Sequence, residues 1–169
     1  MSEKVAQFVA SELLKVDSEI EAPVIDVRDH VFGATIPAWI DDPRTKPWKE
    51  IAARADAFVW VVPEYNHGLP GEFKMMLDSA YDEYNRKPVV FCTVSSGRMG
   101  GVRTYSMLLD VAFELCLVPV NAPVAFSKVE ELFDEHGKIA DESYEKKMKE
   151  MNNELVWFAR TMKVGREKN

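Results

Sequence analysis

Two segments of this chain, Ala57–Val62 (Ala-Phe-Val-Trp-Val-Val) and Pro88–Val94 (Pro-Val-Val-Phe-Cys-Thr-Val), are almost entirely apolar and rich in β-branched and aromatic residues. A strand with one face in water alternates polar and apolar residues, so runs that do not alternate call for cover on both faces. A parallel sheet sandwiched between helices provides that cover. Parallel strands need a crossover of a dozen or more residues, and Glu72–Tyr84 reads as the helix that supplies it. The rest of the chain follows the same plan. From Ser2 the apolar positions Val5, Phe8, Val9, Leu13 and Val16 mark one helical face, and the Ser2 hydroxyl is suited to cap that helix. Ala22–Val27 reads as a short strand, Trp48–Ala55 as a short helix, Val102–Leu115 as a helix and Leu117–Val120 as a strand. Pro37, Pro43 and Pro47 forbid a long helix in the stretch before Trp48. Tyr144, Met148, Met151, Leu155, Phe158 and Met162 recur every three or four residues, the pattern of a long helix lying on a sheet. Strands alternating with helices predict a doubly wound, three-layer α/β fold, with residues 1–169 as one domain.

A chain of 169 residues can bury about two thirds of its unfolded surface and needs no disulfide or metal staple. A net charge of -7 argues against a nucleic-acid partner. No apolar run approaches the roughly 20 residues of a membrane span, which argues against a membrane partner. Two cysteines without motif spacing suggest a reducing, cytoplasmic setting. His30, His67 and His136 are too scattered for a metal site and read as surface or loop histidines. Cys92 and Cys116 read as packing residues, Trp39 and Trp48 as cover for the sheet edge, and Lys146, Lys147 and Lys149 as the solvated side of the last helix.

In an open parallel sheet, ligands sit at the carboxyl ends of the strands. Two turns therefore stand out, Pro63-Glu64-Tyr65-Asn66-His67-Gly68-Leu69-Pro70-Gly71 and Ser95-Ser96-Gly97-Arg98-Met99-Gly100-Gly101. Five of the eight glycines lie in them. Glycine lets backbone approach a ligand and adopt positive φ, although glycine counting alone fits two ordinary tight turns equally well. An aromatic and an amide in the first turn suit a flat ring with a hydrogen-bonding edge.

Pro63-Glu64-Tyr65-Asn66, then Pro70, Lys74 and Asp78, then Lys87-Pro88 and Gly100-Gly101-Val102-Arg103 resemble the NADPH-dependent FMN reductase family of flavodoxin-like proteins. The resemblance runs from Ser2 to about Lys163. It implies a sheet ordered 2-1-3-4-5, FMN at the strand ends, and homodimers or homotetramers. It also implies hydride transfer from NAD(P)H through FMN to a quinone, azo, metal or flavin acceptor. Pro63, Glu64, Tyr65 and Asn66 would line one side of the isoalloxazine ring, and Ser95, Ser96, Gly97, Gly100 and Gly101 would run along its pyrimidine edge. Arg98 would meet a nicotinamide phosphate, with a solvent-exposed loop arginine as the plain alternative. Lys74 and Asp78 would form a salt bridge or pack at a subunit interface. The flavin carries the redox chemistry, so no catalytic side chain is expected, and the sequence offers no convincing triad.

The family's opening strand and its phosphate-cradling turn have no counterpart before Ser2. Three explanations stand open: a late start, a truncation in which Ala22–Val27 pairs with Ala57–Val62 to leave four strands, or a strand donated by another subunit. If these 169 residues are the whole protein, Ser2 and the helix N-terminus alone would receive the phosphate. Two other readings follow, a flavin-less flavodoxin-like interaction module and a one-electron flavodoxin carrier. Weak FMN retention is the expected outcome, checked by desalting the purified chain. A preparation that stays yellow would contradict it.

Overall fold

The computed structural model describes residues 1–135, 138, 139 and 141–168. Strands β1 (Phe58–Pro63) and β2 (Pro88–Val94) pair in parallel, in register from Phe58↔Val89 to Pro63↔Val94. Every residue of β2 is buried. β1 differs, because Phe58, Trp60 and Val62 are buried while Val59, Val61 and Pro63 are only half-buried. Cover on both faces, expected of both strands, is therefore complete only for β2. Among the described residues β1 pairs on one side alone, which makes it an edge of the sheet.

The other side of β2 is shared by two short strands. β3 (Val118–Pro119) pairs with its first half and β4 (Val124–Phe126) with its second, both parallel. Pro88 lies opposite Val118, but Cys92 lies opposite Val124, so two extra residues bulge out between the strands. Pro123 sits in that gap, where a residue without an N–H does least harm to the ladder. The strand expected at Leu117–Val120 is thus present at its centre, and β4 adds a second pairing that the local sequence did not announce.

Alternation along β1 and β2 divides the interior into two cores. On one face α2 (Lys46–Arg54), α3 (Gly71–Asp78) and α4 (Thr104–Glu114) cover Phe58, Trp60, Val62, Val89 and Phe91 with Trp48, Phe73, Leu77 and Leu108. On the other, α1 (Ser2–Leu14), the one-turn α5 (Val129–Leu132) and α6 (Ser143–Glu167) cover Val90, Cys92 and Val94 with Val5, Val9, Met148 and Met151. The expected α6 stripe is observed, buried from Tyr144 through Leu155 and half-buried at Phe158 and Met162. These are the three layers foreseen from the alternation of strands and helices.

Several local expectations give way to competing contacts. Ala22–Val27 is not a strand: Pro23 lacks a donor, and the Asp26 carboxylate accepts the Arg28 N–H and caps a 3-10 turn at Val27–His30. The helix expected over Glu72–Tyr84 stops at Asp78, where the Ser79 hydroxyl donates to the Met76 carbonyl, and Asp82–Tyr84 forms a separate 3-10 turn. Met1, not Ser2, holds the N-cap position of α1, and no side chain caps that end. His30 is buried with its ring centroid 5.7 Å from that of Trp48, and burial pushes its imidazole below the ordinary value. His67 is exposed as expected, and His136 lies outside the described residues. Cys92 packs in the core, where burial pushes its thiol up to about 12, whereas Cys116 is exposed. Trp39 is exposed and Trp48 is core: the Trp48 indole donates to the Tyr84 hydroxyl at 2.8 Å, which donates to the Leu77 carbonyl at 3.1 Å.

Lys87 shows how the crossover is anchored. It is buried and its Nζ donates to the Ala52 and Ala53 carbonyls, at 2.7 and 2.8 Å, at the carboxyl end of α2. A cation there suits the helix dipole. Burial still pushes its ammonium down to about 8, with Arg166 adding to the effect.

Two outcomes are expected. Phe91→Ala, which empties a site packed by Trp60 and Tyr105, should cost about 3–5 kcal/mol by urea denaturation. Val59→Ala on the half-covered face should cost much less. Because Lys87 has a folded-state value below its unfolded 10.5, the unfolded chain holds more protons between about pH 8 and 10.5. Wild-type stability should therefore rise across that window relative to Lys87→Met, measured by paired denaturation curves.

Candidate functional site at the carboxyl ends of the parallel strands

With β1 and β2 in register to Pro63↔Val94, the two glycine-bearing loops leave the sheet side by side. The first is tied down at once, since the Glu64 N–H donates to the Val94 carbonyl at 2.9 Å. The chain then reverses tightly. Tyr65 and Gly68 exchange backbone hydrogen bonds of 3.1 and 2.9 Å, and Asn66 (φ 49°) and His67 (φ 64°) both lie in the left-handed region. This is the geometry of a type I′ turn. Asparagine tolerates that backbone, but histidine carries strain of about 1 kcal/mol. The turn leaves Tyr65 61% exposed, beside exposed Asn66 and His67.

The second loop is pinned at both ends and open in the middle. At its start the Ser95 N–H donates to the Phe126 carbonyl and the Ser95 carbonyl accepts from the Val129 N–H. At its end the Thr93 hydroxyl donates to the Gly100 carbonyl at 2.7 Å, and the Thr104 hydroxyl to the Gly101 carbonyl at 2.8 Å. Gly100 and Gly101 have φ of 60° and 80°, and a methyl on Gly101 would lie 3.1 Å from both the N and O of Val94. Only glycine meets both demands. Between these anchors Ser96, Gly97, Arg98 and Met99 are exposed. The N–H groups of Ser96, Arg98 and Met99 make no hydrogen bond among the described residues. The Gly97 carbonyl accepts from Lys128, which joins the segment after β4 to the same rim.

Glu64 continues the inward parity of Phe58, Trp60 and Val62, and its side chain is 9% exposed. Its Oε1 lies 3.4 Å from Arg103 Nη1, while its Oε2 is buried without a partner among the described residues. Arg103 precedes the first residue of α4.

Of the residues singled out from sequence, Pro63, Glu64, Tyr65 and Asn66 are thus brought beside Ser95, Ser96, Gly97, Arg98, Gly100 and Gly101. Ser2 makes no hydrogen bond to either loop among the described residues. Its neighbour Glu3 instead lies 3.7 Å from Arg28. Lys74 and Asp78 form the expected ion pair at 2.7 Å. Two features escaped the sequence reading, namely Arg103 as a partner of Glu64 and the Ser127–Lys128 rim. A signal for Arg103 existed: a cation at a helix N-terminus opposes the dipole unless a carboxylate attends it.

The arrangement offers an exposed aromatic and amide on one side, and an arc of unpartnered N–H donors on the other. That suits a flat ring with an acceptor-rich edge.

Comparison with known proteins bears on the family and the fold. The NADPH-dependent FMN reductase family profile matches residues 1–131. An NAD(P)H-dependent FMN reductase of Schizosaccharomyces pombe is 46% identical over 68 residues, covering 40% of this chain and 33% of that protein. An NAD(P)H-dependent FMN reductase of Nectria sp is 28% identical over 135 residues, covering 76% of this chain and 65% of that protein. The chain therefore spans less than two thirds of these relatives. The flavoenzyme NAD(P)H:(acceptor) oxidoreductase FerB of Paracoccus denitrificans superposes with a TM-score of 0.77 at 20% identity, over 96% of this chain and 91% of that one. That likeness establishes the flavodoxin-like α/β architecture.

The turn geometry yields opposite expectations for two substitutions, both read by urea denaturation. His67→Gly relieves left-handed strain and should stabilise by up to about 1 kcal/mol. Gly101→Ala adds that strain and a backbone clash, and should cost about 2–5 kcal/mol.

Proposed function

Because the chain belongs to the NADPH-dependent FMN reductase family, we propose that it is an oxidoreductase binding FMN between the two loops. The observation that carries this reading is the pairing of the Tyr65–Asn66 turn with the unpartnered N–H groups of Ser96, Arg98 and Met99. FMN, when bound, supplies hydride transfer between NAD(P)H and a small electron acceptor such as a quinone, azo compound, metal or free flavin. Tyr65 and Asn66 line one side of the ring and keep it from tumbling. The N–H groups of the second loop face its pyrimidine edge, where fixed donors stabilise negative charge. Arg98, exposed and without an ion-pair partner among the described residues, meets the 2′-phosphate that distinguishes NADPH from NADH as a permanently charged fork. Ser2 and the start of α1 attend the FMN phosphate.

The proposal extends to assembly and setting. α4 presents Phe113 at 81% exposure and Met107 at 44%, an apolar surface suited to a second copy in a homodimer or homotetramer. Cys92 and Cys116 are both free thiols, in keeping with a cytoplasmic protein.

Titration of the flavin-free protein with FMN, followed by fluorescence quenching, tests the reading together with NADPH oxidation by benzoquinone. Saturable binding and turnover are expected. Absence of both would leave the flavin-less interaction module in its place. Arg98→Ala should lower kcat/KM for NADPH about tenfold, the loss of one charge-assisted contact, while sparing NADH.

A further inference from the structure

We infer that Glu64 and Arg103 form a tether that sets the spacing of the two site loops, and through it the affinity for flavin. The inference rests on the proposed flavin site. Glu64 stands at the root of the first loop and Arg103 at the exit of the second, 39 positions along the chain. Each root is already fixed to the sheet: Glu64 by its N–H on the Val94 carbonyl, and the glycines before Arg103 by the Thr93 hydroxyl on the Gly100 carbonyl. The free arcs, Tyr65–Gly68 and Ser96–Met99, hang from these roots. Among the described residues, the 3.4 Å contact between Oε1 and Nη1 is the side-chain link that joins one loop's root directly to the other's exit.

Stability is a poor reason for this pair. Arg103 is 53% exposed, and half-exposed ion pairs contribute little to folding. The Glu64 carboxylate meanwhile loses its water, and one of its oxygens gains no partner in return, a net cost to the folded state. A desolvated carboxylate does feel the guanidinium more strongly than one in water. Glu64 is thus a positioning residue acting through Arg103, since its own side chain is turned away from the exposed rim on which Tyr65 and Asn66 stand.

The test uses the full chain with Glu64→Gln, Arg103→Gln and the double variant. FMN dissociation constants are measured by fluorescence quenching, alongside amide hydrogen exchange in the flavin-free protein. A tether requires both single variants to weaken FMN in the same direction, about tenfold or about 1.4 kcal/mol each, with the double variant no weaker than the worse single. It also requires faster exchange in both loops of either single variant, and recovery of most of the affinity in Arg103→Lys. A purely electrostatic action on an anionic ligand gives opposite signs: removing the carboxylate tightens FMN and removing the guanidinium loosens it. That result overturns the inference, as does unchanged affinity or additive effects in the double variant. A general loss of folding would lower the thermal midpoint and raise exchange throughout the sheet, and would overturn it equally. If wild type itself fails to bind FMN, the flavin site falls. The exchange data then decide the tether alone: acceleration confined to the two loops in both single variants upholds it, and its absence overturns it.

Discussion

The parallel register of β1 on β2 is the constraint from which the rest of the molecule follows. β2 is buried along its whole length, so helices must cover both of its faces. Parallel pairing sends Val89 and Phe91 into one core and Val90, Cys92 and Val94 into the other. Each fully buried side chain of this size is worth about 1.5–3 kcal/mol. A slip of one residue would exchange the two sets and leave neither core filled. The same register places Pro63 opposite Val94, and so brings two loops distant in sequence to one edge.

At that edge the protein combines rigidity with exposure. Gly100 and Gly101 are locked against the sheet by the Thr93 hydroxyl and by close backbone approach that admits no side chain. Tyr65 and Gly68 close their own turn. Between these fixed points lie exposed N–H donors and an exposed aromatic, which is what preorganised recognition of a flat cofactor asks for. The left-handed backbone of His67 shows that local strain is tolerated where the scaffold over-determines the turn.

Much of this was legible beforehand because it depends on local patterning. The continuous apolar runs foretold β1 and β2, and the spacing of Tyr144, Met148, Met151 and Leu155 foretold the buried face of α6. The motif Pro63-Glu64-Tyr65-Asn66 and the Gly100-Gly101 turn identified the loops that meet. Illegible were the places where a contact from elsewhere outbids the local preference. Ala22–Val27 has the composition of a strand, yet the Asp26 carboxylate captures Arg28 and turns the chain. β4 is three residues long and carries too little pattern to read. His30 and Trp48 look like loop and edge residues, but each is buried against the other.

The sequence by itself determined the layering of helix on parallel sheet and the pair of loops at its edge. Both follow from side-chain periodicity and from the backbone freedom of glycine, which are properties of short stretches of chain. Tertiary structure alone decided the half-covered face of β1, the split strand beside β2, the inward turn of Glu64 and its meeting with Arg103. Each of these depends on which groups become neighbours across tens of residues and on which of them lose their water. Burial and distance, unlike periodicity, are fixed only when the whole chain has folded.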